Sequence, residues 1–289
     1  VELLQLLVNG LAAGCIYGLV ALGFVLIYKA TEMVNFAQGD LLMLGAFAAF
    51  TFIGIFGLPY WLGLILAVLC MALFGFILDV VVLRRVIGQP QFAIVILTIG
   101  LGFIFRSIAV MVWGPDIRSL ETPFSNSITQ FGGLVIADVS LSIIAGTLIL
   151  CGLMFAFFRY TRLGVAMQAA SQNQLAAYYM GIPVKLIFSM IWAISAGVAA
   201  VAGILLAPVS LIDPNIGFIA IRAFSAAVLG GFTSLPGAVL GGLIIGLIEQ
   251  FAAIYLSDGV KDLAAPVVAL VMLAVYPQGL LGQRVRKRV

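Results

Sequence analysis

A chain of 289 residues that is 64% hydrophobic, 9% charged and +3 in formal net charge, with a mean hydropathy of +1.26, has too little polar surface to cover a water-soluble core. That excludes a soluble enzyme or a nucleic-acid binder and leaves a polytopic membrane protein. Histidine is absent, and Cys15, Cys70 and Cys151 are isolated in apolar runs with no C-x-x-C, so neither a disulfide framework nor a metal site is implied.

Apolar runs recur at 3–28, 41–57, 61–83, 91–113, 141–158, 187–208, 216–232, 235–255 and 262–276. About 17–25 residues cross roughly 30 Å of hydrocarbon as a helix, and without period-two alternation these runs predict helices, not barrel strands. The expected fold is all-α: one transmembrane bundle over 1–289, with about eight to ten spans and some broken or re-entrant segments. The opening residues VELLQLL lack the charged n-region and cleavage site of a signal peptide, so 3–28 is read as a retained span. Within it Gly10, Gly14 and Gly18 recur every four residues, which stacks them on one helix face and lets a neighbouring helix approach closely.

Next comes KATEMVNFAQGD at 29–40, holding Glu32, Asn35, Gln38 and Asp40 between two apolar runs. A charge in hydrocarbon costs roughly 2.5–3.5 kcal/mol, so these groups must face protein, water or the interface. Two readings fit: a short cytoplasmic turn with Asp40 capping a helix from Leu41, or a helix break whose polar groups line a translocation path. Further on, Asp79 is placed to pair with the Arg84/Arg85 end of its span, while Arg106 and Arg222 lie deep enough to need an internal acid such as Glu249. The loop at about 114–140 is the longest external connection. A faint internal parallel links GDLLMLGAFAAF at 39–50 with LPGAVLGGLIIG at 235–246, where Gly237, Gly241, Gly242 and Gly246 repeat the four-residue spacing.

The polar tract RYTRLGVAMQAASQNQLAAYYMGIPVK at 159–185 stands apart. Good helix formers run to Gly181 as a stop, with Pro183 beyond, so a short helix is predicted between two spans over about 161–185. Its Ala176, Ala177, Tyr178, Tyr179 and Met180 would offer a small-plus-aromatic surface suited to a partner's groove, on a tract that also holds Gln168, Ala169 and the stop Gly181. Basic residues at Arg84, Arg85, Arg159, Arg162, Lys185 and in the tail Arg284, Arg286, Lys287 and Arg288 fall on one side when nine segments are counted, placing the C-terminus in the cytoplasm. An even count would flip the N-terminus. No G-x-x-x-x-G-K-[ST] and no nucleophile–base pair is present, so the chain is expected to be a transport subunit without catalytic residues of its own.

Four ordered blocks then carry a resemblance: ALGFVLIYKATEMVNFAQGDLLMLGAF at 21–47, RLGVAMQAASQNQLAAYYMGI at 162–182, AFSAAVLGGFTSLPGAVLGGLIIGLIE at 223–249 and YPQGLLG at 276–282. From about Leu11 to Gly282 the chain resembles the permease subunits of branched-chain amino acid ABC importers, and of their two permeases the shorter, LivH-type one. The resemblance implies an importer moving branched-chain or related hydrophobic amino acids across the bacterial inner membrane by alternating access. It implies a second homologous permease, two cytoplasmic ATPases that bind ATP and Mg, a periplasmic or lipid-anchored binding protein and surrounding lipid as partners, with no cofactor in this chain. It makes Gln168 to Gly181 the element held by an ATPase. The family often places an acid before the paired alanines, where this chain reads SQNQLAAYYMG, implying docking by shape and apolar contact; its common histidine in N-F-A-H-G-D is Gln38 here, which hydrogen-bonds but does not titrate near neutrality. Urea, short amides or aromatic acids are alternative substrates within the superfamily, and an ion-coupled carrier or channel is the alternative from another class.

Overall fold

The computed structural model describes residues 2–86, 89–125, 127–131, 134–255 and 258–282. The basic tail at 284–288 lies outside them. Among the described residues the chain forms α1 (Glu2–Thr31), α2 (Gln38–Ala49) running into a π-helical turn (Phe50–Ile55), α3 (Tyr60–Val81), α4 (Gln91–Trp113), a hairpin of β1 (Ile128–Phe131) and β2 (Leu134–Ala137), and α5 (Asp138–Tyr160). It continues with α6 (Arg162–Gln172), α7 (Gln174–Tyr179), α8 (Val184–Ser210), a 3-10 turn (Ile216–Phe218), α9 (Ile219–Gly230), α10 (Leu235–Tyr255) and α11 (Asp258–Val275).

All nine apolar runs fold as helices, and seven described helices are long and apolar enough to cross a membrane. The other two fall short for different reasons. The 216–232 run spends its first turn as a 3-10 helix, leaving α9 only 12 residues, and α11 carries Asp258, Lys261 and Asp262 near its start. The antiparallel hairpin, which pairs Ile128 with Ala137, lies in the 114–140 loop, outside the all-α bundle that was expected.

Local chemistry sets the boundaries. Pro59, Pro90 and Pro183 each stand immediately before α3, α4 and α8, where a missing N–H costs no helical bond. Which face packs is set by small residues, because lipid is as apolar as leucine and gives no hydrophobic drive between helices. In α3 the face Gly63, Ala67, Met71, Gly75 and Leu78 is buried, while Leu62, Ile65, Leu69, Leu73 and Ile77 remain exposed. A Cβ at Gly75 would sit 2.6 Å from the Trp192 carbonyl of α8.

α1 packs antiparallel along α10, with Gly10 at Leu247, Gly14 at Leu243 and Gly18 at Val239. α8 packs antiparallel along α3 in the same manner, α2 runs parallel to α8 through Gly45 at Ala200, and α9 runs parallel to α1 through Phe224 at Phe24. The bundle is therefore an inverted repeat in which α1 to α4 correspond to α8 to α11. This corrects the internal parallel read from the sequence: α2 corresponds to α9, not to α10. Glycines open both α2 and α10, but Gly39 and Gly45 of α2 admit the 3-10 turn at Gly217 and α8 at Ala200, whereas Gly237 and Gly241 of α10 admit α9 and only Gly242 and Gly246 admit α1.

Candidate translocation and coupling sites

Each half of the repeat contains a long helix followed by a chain reversal into the bundle. After α1, Glu32 takes a left-handed φ of 56° and the chain turns back to start α2 between α1 and α8. The Asn35 side-chain carbonyl accepts from Ala37 N–H at 3.1 Å, and its amide donates to Gln38 Oε1 at 3.2 Å. Gln38 in turn donates to the Ser195 carbonyl of α8 at 3.4 Å, while Ser195 Oγ donates to the Gly23 carbonyl of α1 at 3.1 Å. A Cβ at Gly23 would collide with the Gln38 amide. Every hydrogen-bonding atom of this knot thus finds protein, as burial demands.

The proposed path residues therefore separate. Asn35 and Gln38 are sealed and hold α1, α2 and α8 together, and Glu32 is exposed at the end of α1. Asp40 differs from all three. It lies in the first turn of α2, which begins at Gln38 with no side-chain cap, so the capping reading is corrected. Its carboxylate accepts from Arg106 Nε of α4 at 2.7 Å. Gly102, one turn before Arg106 on the same face of α4, makes room, since a Cβ there would strike Asp40 Oδ2. The spacing of four residues was the available signal for Gly102; nothing in the sequence pointed to Ser195.

The Asp40–Arg106 pair lines a cavity of about 330 Å³ whose walls include Phe24, Phe36, Phe103, Phe218 and Phe224. Arg106 stacks over Phe218 at 4.2 Å from the ring centroid. A larger cavity of about 560 Å³ opens among α3, α5 and α8, but apart from Asp138 and Ser142 its lining is almost wholly apolar, and no residue of either chain reversal lines it. The smaller one sets a cation and an anion side by side against an apolar wall, so it is the better candidate for a polar solute.

In the second half, Arg222 of α9 sits 3.1 Å from Glu249 of α10 and 2.6 Å from Asp262 of α11, and Tyr17 of α1 donates to Glu249 at 2.5 Å. The sequence leaves Glu249 open as an acid for either deep arginine; the structure gives it to Arg222 and pairs Arg106 with Asp40. Four helices meet at this cluster. Glu249→Leu is expected to lower stability by about 3 kcal/mol, the lower end for breaking a buried pair because Arg222 keeps Asp262. Thermal unfolding in detergent measures it. Asp79 accepts from Ser189 Oγ at 2.6 Å, with Arg84 beside it at 3.7 Å, closing the end of α3 onto α8 as its position suggested.

The 161–185 tract forms two helices, not one. Asn173 takes an extended backbone and its side chain accepts from Ala176 N–H at 2.9 Å, ending α6 and capping α7. Gln168 donates to the Phe158 carbonyl at 3.3 Å, and Ala169 is half-buried. Ala176 is exposed, but Ala177 is buried, contrary to the surface expected. Tyr178, Tyr179 and Met180 are 68%, 77% and 83% exposed. Ile182 N–H to the Ala177 carbonyl and Gly181 N–H to the Tyr178 carbonyl, both 3.0 Å, close the helix in a Schellman motif with Gly181 at φ 82°. Gln174 donates to the Ala30 carbonyl at 3.2 Å, joining this element to the last turn of α1 immediately before the reversal.

Residues 6–276 match the family model described as branched-chain amino acid transport system / permease component. The chain is 32% identical to the high-affinity branched-chain amino acid transport system permease protein LivH of Salmonella typhimurium, over 97% of this chain and 96% of that protein. It is likewise 32% identical, with the same coverage, to the permease protein BraD of Pseudomonas aeruginosa. Among solved structures, PsaBC from Streptococcus pneumoniae in complex with Fab shares the fold at a TM-score of 0.50 and 16% identity, over 93% of this chain and 91% of that one.

Proposed function

The chain belongs to the family of branched-chain amino acid transport permease components, and from that premise we propose that it is one membrane subunit of an ATP-driven ABC importer for branched-chain or related hydrophobic amino acids. It works beside a second, homologous permease in the bacterial inner membrane. Two cytoplasmic ATPases bind ATP and Mg, and a periplasmic or lipid-anchored protein delivers the solute. Lys29, Arg84, Arg159, Arg162 and Lys185 gather at one end of the bundle, which supports assigning that end to the cytoplasm.

The observation that carries the reading is the continuity from docking surface to helix break. Tyr178, Tyr179 and Met180 offer the ATPase an apolar, aromatic projection. Gln174, on the same short helix, holds the end of α1, so movement of α7 reaches the reversal at 32–37 directly. Rocking of the two repeats about their glycine contacts would then expose the Asp40–Arg106 cavity to one side and then the other. Because Arg106 is part-exposed among exposed phenylalanines in mid-bundle, that face suits the second permease and not lipid.

The test is uptake of labelled leucine by proteoliposomes holding the chain with its genomically neighbouring permease, ATPases and binding protein. Uptake that needs ATP and resists excess urea and aromatic acids is the expected result. Uptake driven by an ion gradient without ATP would overturn the importer reading, and ATP-driven uptake of another solute alone would replace the substrate.

A further inference from the structure

We propose that the Asp40–Arg106 cavity is an amino-acid subsite inside the permease, where the zwitterion's carboxylate is taken by Arg106, its ammonium by Asp40 and its aliphatic side chain by the phenylalanine wall. The inference rests on the reading of the chain as an amino-acid permease and deepens it.

Arg106 spends only Nε on Asp40; among the described residues Nη1 and Nη2 have no hydrogen-bond partner, although their guanidinium borders the cavity. A guanidinium presents donors in a planar fork, so the two remaining nitrogens match a carboxylate without breaking the existing bond. Asp40 lies beside it and also borders the cavity, and a carboxylate has more lone pairs than one Nε can use. The two charges therefore stand side by side in the order an α-amino acid needs, carboxylate to cation and ammonium to anion. Around them Phe36, Phe103 and Phe218 are 39%, 65% and 51% exposed, an apolar surface with no other ionised group lining the cavity. The volume of about 330 Å³ exceeds one branched aliphatic amino acid and leaves space for water. A pair of this kind holds its solute weakly, because the arginine and aspartate satisfy each other when the site is empty; weak holding is what passage requires.

Selection by the binding protein would mask selection here, so the test omits it. The probe is a leucine analogue carrying a diazirine in its side chain, photolysed with the purified complex of both permeases and both ATPases, followed by peptide mass spectrometry. Label is expected on residues 99–106 or 217–224, suppressed by excess leucine but at least tenfold less by 4-methylpentanoate or 3-methylbutylamine, each of which lacks one charge. Arg106→Gln should abolish that labelling. Ile221→Trp, which narrows the cavity and leaves the ion pair intact, should abolish it too, which separates loss of the site from misfolding around Arg106. Label confined to other segments, label unchanged in both variants, or equal competition by the singly charged analogues overturns the subsite. Leucine uptake by the complete wild-type system, measured in parallel, would in those cases leave the permease reading standing.

Discussion

Gly242→Leu is expected to leave almost no folded permease, read as the monodisperse fraction on size exclusion after detergent extraction. A Cβ at 242 would run into the backbone of Gly18 and the Gly14 carbonyl, and one at 246 into the backbone of Gly14. From the other side, a Cβ at Gly14 would lie 2.7 Å from Leu243 Cα and 2.8 Å from the Gly242 carbonyl. Overpacking costs about 1–3 kcal/mol where side chains can yield. Here both surfaces are main chain, so α1 and α10 must part along their length and lose dispersion contacts that no hydrophobic effect replaces in lipid. The expected loss therefore exceeds that range. Gly100→Ala and Gly152→Ala, where nothing lies within 4 Å of the added carbon, are the matched controls and should extract at the wild-type level. Normal assembly of Gly242→Leu would mean that the α1–α10 contact does not hold the bundle together.

Gly181→Pro is expected to abolish ATP-dependent uptake while the protein still inserts and purifies. The position is spatially open, with nothing within 4 Å of where a Cβ would stand, so the effect is conformational. Its φ of 82° is closed to proline, whose ring fixes φ near −65°, and proline also removes the N–H that bonds the Tyr178 carbonyl. The end of α7 must unwind, displacing Tyr178, Tyr179 and Met180 together. Gly181→Asn, which tolerates the left-handed region and keeps the N–H, should retain most uptake. Tyr178→Asp leaves the fold of α7 intact and puts a charge on its exposed face, and it should also stop uptake. Basal ATP hydrolysis by the complex persisting in Gly181→Pro would show that coupling had been lost, not the ATPase. Unchanged uptake in both Gly181→Pro and Tyr178→Asp would sink the coupling role.

The polar tract was legible as a helix between two spans because its helix formers run to a stop marked by Gly181 with Pro183, and the lack of Lys or Arg between Arg162 and Lys185 argues against a membrane-surface helix. Its division at Asn173 was missed: asparagine is tolerated inside helices, and its preference for a cap prevails only when the chain must turn. The buried Ala177 was missed for a related reason, since a helix of six residues has no periodicity long enough to tell its two faces apart. Among the path candidates, Asn35, Gln38 and Asp40 looked alike as polar residues between apolar runs. What separates them is the neighbour each meets: Ser195 and Gly23 close over Gln38, while Gly102 leaves room for Asp40 to reach Arg106.

By itself the sequence determined that this chain is a membrane protein built as a helical bundle, where its apolar helices run, and that Gly10, Gly14, Gly18, Gly242 and Gly246 face a neighbouring helix. These follow from local quantities, hydropathy over a span length and small residues at helical spacing, that need no knowledge of what lies opposite. The tertiary structure alone decided the inverted repeat, the pairing of Asp40 with Arg106 and of Glu249 with Arg222, and the placing of Asp40 and Arg106 at a cavity while Asn35 and Gln38 were sealed away. A buried charge is satisfied by whichever opposite group the fold brings within about 3 Å, and residues 40 and 106 meet only because two helices cross there.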